Sequence, residues 1–113
     1  MPNQNAPIVN ATAELYRLFY EYRRNANRQD KYTIWQKGDE LILDLLEKII
    51  EASTLAADRQ ETLRAASRKL NFLRVFILIL KNIGSLNQEK IDKLQKQIDE
   101  IGRMLGGWIK TTK

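Results

Sequence analysis

Residues 64–110 read RAASRKLNFLRVFILILKNIGSLNQEKIDKLQKQIDEIGRMLGGWIK. Counting from Leu63, apolar residues return at Ala66, Leu70, Leu73, Ile77 and Leu80, in steps of three and four. After a polar break they return at Ile91, Leu94, Ile98, Ile101, Leu105 and Trp108 with the same steps. That period places each set on one helix face. Gly84 sits where a glycine stop ends the first of these helices. Asn87 stands as the cap of the next, with Leu86 and Ile91 spaced as a hydrophobic staple. A connection this short makes the two helices antiparallel neighbours.

The chain upstream extends the same pattern. A helix from Asp58 carries Glu61 three residues on, a repeat of the capping logic that also suits the positive end of the helix dipole. Before it, Thr33 and Gln36 form a capping-box pair. They open a helix whose stripe is Trp35, Gly38, Ile42, Leu45, Ile49, Ala52 and Ala56, extended by Leu41, Leu46 and Ile50. The first helix runs from about Pro7 to Ala26 on Ile8, Ala11, Leu15, Leu18 and Tyr22, widened by Tyr16, Phe19 and Tyr20. Asn25–Lys31 reads as a loop, and residues 1–6 as a disordered tail. The only prolines are Pro2 and Pro7, so nothing downstream interrupts a long helix. The expectation is an all-α protein: one antiparallel four-helix bundle over residues 7–113.

Composition excludes much chemistry. The 113 residues contain no cysteine and no histidine. Thiol nucleophiles, imidazole bases, disulfides and the common zinc sites are therefore unavailable. The longest apolar run, Val75 to Leu80, is far too short to span a bilayer. Residues 1–13 lack the basic start and apolar run of a signal peptide, which points to a cytoplasmic protein. Asp39, Glu40, Asp44, Glu47 and Glu51 cluster on the second helix. Carboxylate di-iron bundles add Glu-x-x-His pairs, and none exists here, so the cluster reads as a solvated acidic face open to a basic partner. No metal, cofactor or catalytic group is expected.

The third helix has more apolar surface than one stripe uses. Phe72, Val75, Phe76, Ile79 and Ile83 lie roughly opposite the core stripe. A helix apolar nearly all round must be buried nearly all round, and a bundle leaves part of each helix exposed. The surplus predicts self-association. Gly102 and Gly106 on the fourth helix each cost about 1 kcal/mol against alanine. They are read as sites of close packing within or between subunits, with Trp108 as a packing anchor.

Charge is uneven along the chain. Residues 32–57 carry two basic and five acidic side chains, whereas residues 58–84 carry six and two. Arg64, Ser67, Asn71, Arg74, Leu78 and Lys81 align along one edge of the third helix. Arg68 and Lys69 add charge nearby. A basic helix suits phosphate, and a symmetric oligomer would repeat it. The candidate nucleic-acid residues are Arg64, Arg68, Lys69, Arg74 and Lys81, with Arg103 on the fourth helix. On that helix Asp92 and Asp99 are interleaved with Lys96, Arg103 and Lys110, the pattern of a solvated face.

The run Glu100-Ile101-Gly102-Arg103-Met104-Leu105-Gly106-Gly107-Trp108-Ile109-Lys110, with Leu73-Arg74 before it, resembles the Avd family, the accessory variability determinants of diversity-generating retroelements. The resemblance is dense from about Thr62 to Lys110, looser over KYTIWQKGDELILDLLEKIIEA, and weak before Arg28. It implies a four-helix bundle assembled as a ring-like homopentamer. It also implies a non-catalytic role: binding a dedicated reverse transcriptase, and RNA or its DNA copy, to support mutagenic copying of a template. The related proteins encoded within intervening sequences of large-subunit ribosomal RNA share the fold without a polymerase partner, and are the alternative. At Leu78 the chain departs from an L-R-x-x-x-R pattern, which would place a second basic residue there.

Overall fold

The computed structural model describes residues 6–54 and 57–112. Four long helices carry the fold: α1 (Ala6–Arg23), α3 (Ile34–Thr54), α4 (Arg59–Asn82) and α5 (Gln88–Thr111). A single turn, α2 (Arg28–Lys31), lies between the first two. No strand occurs among the described residues. The long helices pack in the cyclic order α1, α3, α4, α5, each against two neighbours. The bundle measures 44 × 22 × 21 Å, the cross-section of two helices by two.

The core follows the apolar stripes. Leu63, Ala66, Leu70, Leu73, Ile77 and Leu80 of α4 are all buried, as are Ile91, Leu94, Ile98, Ile101 and Leu105 of α5. Trp108 is half-buried against them. On α3 the stripe from Trp35 to Ala52 is buried, and Ala56 lies outside the described residues. On α1 the stripe shifts by one position. Phe19 is fully buried, its ring tilted 39° against that of Trp35 with the centroids 4.6 Å apart. Leu18 is only half-buried. The Trp35 indole N–H donates to Ser85 Oγ at 2.7 Å, which ties the start of α3 to the α4–α5 turn.

Helix ends divide into two groups. Gly84 adopts φ +77, and the Ser85 and Leu86 amides donate back to the Leu80 carbonyl, closing α4. Asn87 caps α5 through the Lys90 amide, with Leu86 and Ile91 both buried. The other two expected caps do not form. Asp58 takes a left-handed φ of 59, from which its side chain makes no capping bond. Arg59 instead donates to the Ala52 carbonyl at 2.6 Å and holds the α3–α4 corner. Thr33 donates its hydroxyl backward to the Gln29 carbonyl at 2.8 Å rather than opening a capping box. The reason lies just upstream. Asn27 caps the Asp30 amide, so part of the expected loop winds into α2 and draws Thr33 in as its continuation. Residues 1–5 and 113 lie outside the described residues, and Ala6 already begins α1.

Candidate assembly and nucleic-acid surfaces

The outer face of α4 is apolar and in water. Phe72 and Val75 are 53% and 54% exposed, and Leu78, Ile79 and Ile83 are exposed beside them. Phe76 corrects the expectation that it belongs to this face: it is buried in the chain's own core. Its ring lies beside Gly38 of α3, where an added Cβ would stand 2.9 Å from Phe76 Cε2 and 2.3 Å from Phe19 Cζ. The missing side chain at Gly38 makes room for both rings.

A second apolar patch lies on α3. Exposed Leu43 and Ile50, with Leu46, Glu47, Glu51 and Thr54, line a shallow recess of about 350 Å³. The two patches differ in charge. The α3 patch is rimmed by Glu47 and Glu51. The α4 patch begins where Phe72 meets Arg68 and Lys69, across a groove from Leu41.

The six candidate nucleic-acid residues do not share one surface. Arg74 lies in the α4–α5 groove, ion-paired with Asp99 and one-third exposed, while Gln95 donates to the Arg74 backbone carbonyl at 3.2 Å. Arg64 shares its helix edge. Arg68 and Lys69 lie on the other side, toward α3, and Arg68 pairs with Glu61 at 2.9 Å. Arg103 pairs with Glu100 on its own helix at 2.5 Å, and that bond holds the Glu100 carboxyl below its ordinary value. Lys81 stands exposed at the end of α4. Exposed pairs of this kind are weak because water screens them, so a phosphate can displace Glu61 or Glu100 at little cost.

The helix-5 glycines differ from one another. An added Cβ at Gly102 would stand 2.7 Å from Arg74 Nη2, so this glycine gives room to an arginine rather than to a helix backbone. Gly106 and Gly107 face open space. Asp39 leaves the acidic set: it turns inward to an ion pair with Arg23 of α1, and its Oδ1 is buried with no hydrogen-bond partner among the described residues. Burial pushes this carboxyl up, outweighing the guanidinium beside it. Among the described residues no group of carboxylates is gathered closely enough to hold a metal, and no helix is long and apolar enough to cross a membrane.

Sequence reasoning missed one recess. Tyr20, Arg23 and Arg24 at the end of α1 join Lys31 and Tyr32 after α2 around a single recess. The signal was the interleaving of tyrosine and basic residues in YEYRR, before the stretch read as a loop, and in KY at its end.

A family model described as bAvd-like matches residues 8–112. Comparison with curated proteins found no match.

Proposed function

The chain belongs to the bAvd-like family, and from that membership we propose that it is a non-catalytic accessory protein of a diversity-generating retroelement. In this reading it is a homo-oligomer, a ring of five copies. It binds the reverse transcriptase together with template RNA or its cDNA, and so supports mutagenic copying. The observation that carries the assembly is the exposed face of Phe72, Val75, Leu78, Ile79 and Ile83 on α4. Such a face in water marks an interface.

A ring needs two different faces on each copy, because a head-to-tail contact joins unlike surfaces. The α3 patch supplies the second. Across α4 there are six basic side chains against one acidic, and across α3 two against five. Docking the α4 face of one copy on the α3 patch of the next brings opposite charges together. Pairing two α4 faces would oppose like charges and leave Leu43 and Ile50 in water.

Nucleic acid is held in this reading by the basic edges of α4, multiplied by the ring. The test is RNA binding across a salt series, together with co-purification of a reverse transcriptase encoded beside the gene. Affinity that falls steeply with salt, and that weakens in Arg68→Ala with Arg74→Ala, supports the reading. An oligomer that ignores RNA at low salt and retains no polymerase would overturn it.

A further inference from the structure

Where α1 ends and α2 begins, Tyr20, Arg23, Arg24, Lys31 and Tyr32 line a recess of about 310 Å³. That is at the lower end of small-ligand sites. Tyr32 is 62% exposed, more than any other large apolar side chain among the described residues. The fold uses its backbone, whose N–H donates to the Asp30 carbonyl as the cap of α2, while its ring stands in water. The Arg24 guanidinium lies over the Tyr20 ring, 5.5 Å from its centroid. Lys31 Nζ donates to the Arg24 carbonyl at 3.4 Å, which fixes α2 against the end of α1. Arg23 is turned inward to Asp39.

Arg24 and Lys31 differ in their partners from three of the candidate nucleic-acid residues. Arg68, Arg74 and Arg103 each face a carboxylate, whereas Arg24 and Lys31 make no ion pair among the described residues. Two cations without a carboxylate partner, lining one recess with two exposed aromatic rings, match the needs of a flexible, unpaired strand. Every base offers a face for stacking, and each phosphate a charge to neutralise. A carboxylate-rich peptide would use the cations and leave the rings idle. We propose that this recess binds one unstacked nucleotide of a single-stranded nucleic acid, with its base on Tyr32 and its phosphate between Arg24 and Lys31. The inference rests on the nucleic-acid reading above and gives it a second, separate site on each copy.

The test is anisotropy with a short labelled single strand and an abasic strand of equal length. Tyr20→Ala with Tyr32→Ala should weaken binding of the normal strand roughly tenfold, and Tyr32→Phe should restore most of it. The wild type should bind the abasic strand roughly tenfold more weakly, and the double variant should no longer tell the strands apart. Lys31→Gln should lower the slope of log affinity against log salt by about 0.7. All three side chains are exposed or half-buried, and unchanged helical circular dichroism verifies the fold. Tyrosine variants that bind like wild type, while Arg64→Ala with Arg74→Ala weakens binding, would overturn this site and leave the nucleic-acid reading standing. Polyglutamate that competes equally, with no effect of the tyrosines, would assign the recess to an acidic protein. A wild type that binds neither strand at low salt would remove both readings.

Discussion

Gly102 of α5 leaves the space that the Arg74 guanidinium of α4 fills: a Cβ at Gly102 would stand 2.7 Å from Arg74 Nη2. The neighbour is the far end of a flexible side chain, so it can move aside. Alanine also regains about 1 kcal/mol of helix propensity. Gly102→Ala should therefore stabilise the fold by up to about 1 kcal/mol in urea unfolding, while shifting Arg74 away from Asp99. A loss of more than about 1 kcal/mol would show that Arg74 is locked in the groove.

Gly38 behaves in the opposite way. Its neighbours are two buried rings, Phe19 and Phe76, packed in the middle of the core. Rings held on several sides cannot swing clear, and overpacking of this kind costs about 1–3 kcal/mol. Gly38→Ala should destabilise the protein by about 2 kcal/mol despite the better helix former. A gain in stability would mean that Phe19 and Phe76 are loosely held.

Gly106 faces open space in the single chain. In a variant kept monomeric, Gly106→Ala should add up to about 1 kcal/mol. If Gly106 packs against a neighbouring copy, the same change should weaken assembly of the wild type, as measured by dilution in light scattering. Stabilisation with no effect on assembly would place the interface elsewhere.

Asp39 makes stability depend on pH. Burial raises its folded-state pKa above the unfolded carboxyl value near about 3.9. The folded protein then holds the proton more tightly than the unfolded chain does. Proton uptake therefore favours folding, and this group's contribution grows as pH falls from neutral through the raised pKa. Asp39→Asn leaves Arg23 unpaired, a cost that does not titrate. Relative to this variant, the wild type should become more stable as pH falls from about 7 to about 4. A difference that stays constant, or that moves against the wild type as pH falls, would mean that Arg23 rather than burial governs the carboxyl.

Much of this architecture was legible in the order of residues. The stripes of α3, α4 and α5 gave the core almost residue by residue, because a bundle reads them by spacing alone. The shift from Leu18 to Phe19 was not legible, since it depends on the ring finding Trp35 across the core. Phe76 lies at the border of two faces of α4, and only the gap at Gly38 on another helix decides which one it joins. Asp58 and Thr33 had the right residue types for caps. Their backbone conformations were set by the corner at Arg59 and by the Asn27 turn. The candidate nucleic-acid residues were chosen by charge, and charge along a sequence does not show that Arg68 and Arg74 face different grooves. The Tyr20–Tyr32 recess stayed hidden because α2 had to form before its two halves could meet.

In the proposed ring, copies join by unlike faces, α4 of one on α3 of the next. One variant carries Val75→Lys and Ile79→Lys, and another carries Leu43→Lys and Ile50→Lys. All four positions are exposed, so each variant should keep its helical circular dichroism. Lysine on both sides also makes the two altered faces repel each other. Light scattering should find each variant alone at the monomer mass of 13.2 kDa. An equimolar mixture should run at twice that mass, because one intact α4 face meets one intact α3 face and the chain can grow no further. An α3 variant that still assembles by itself, or a mixture that remains monomeric, would rule out the contact between unlike faces.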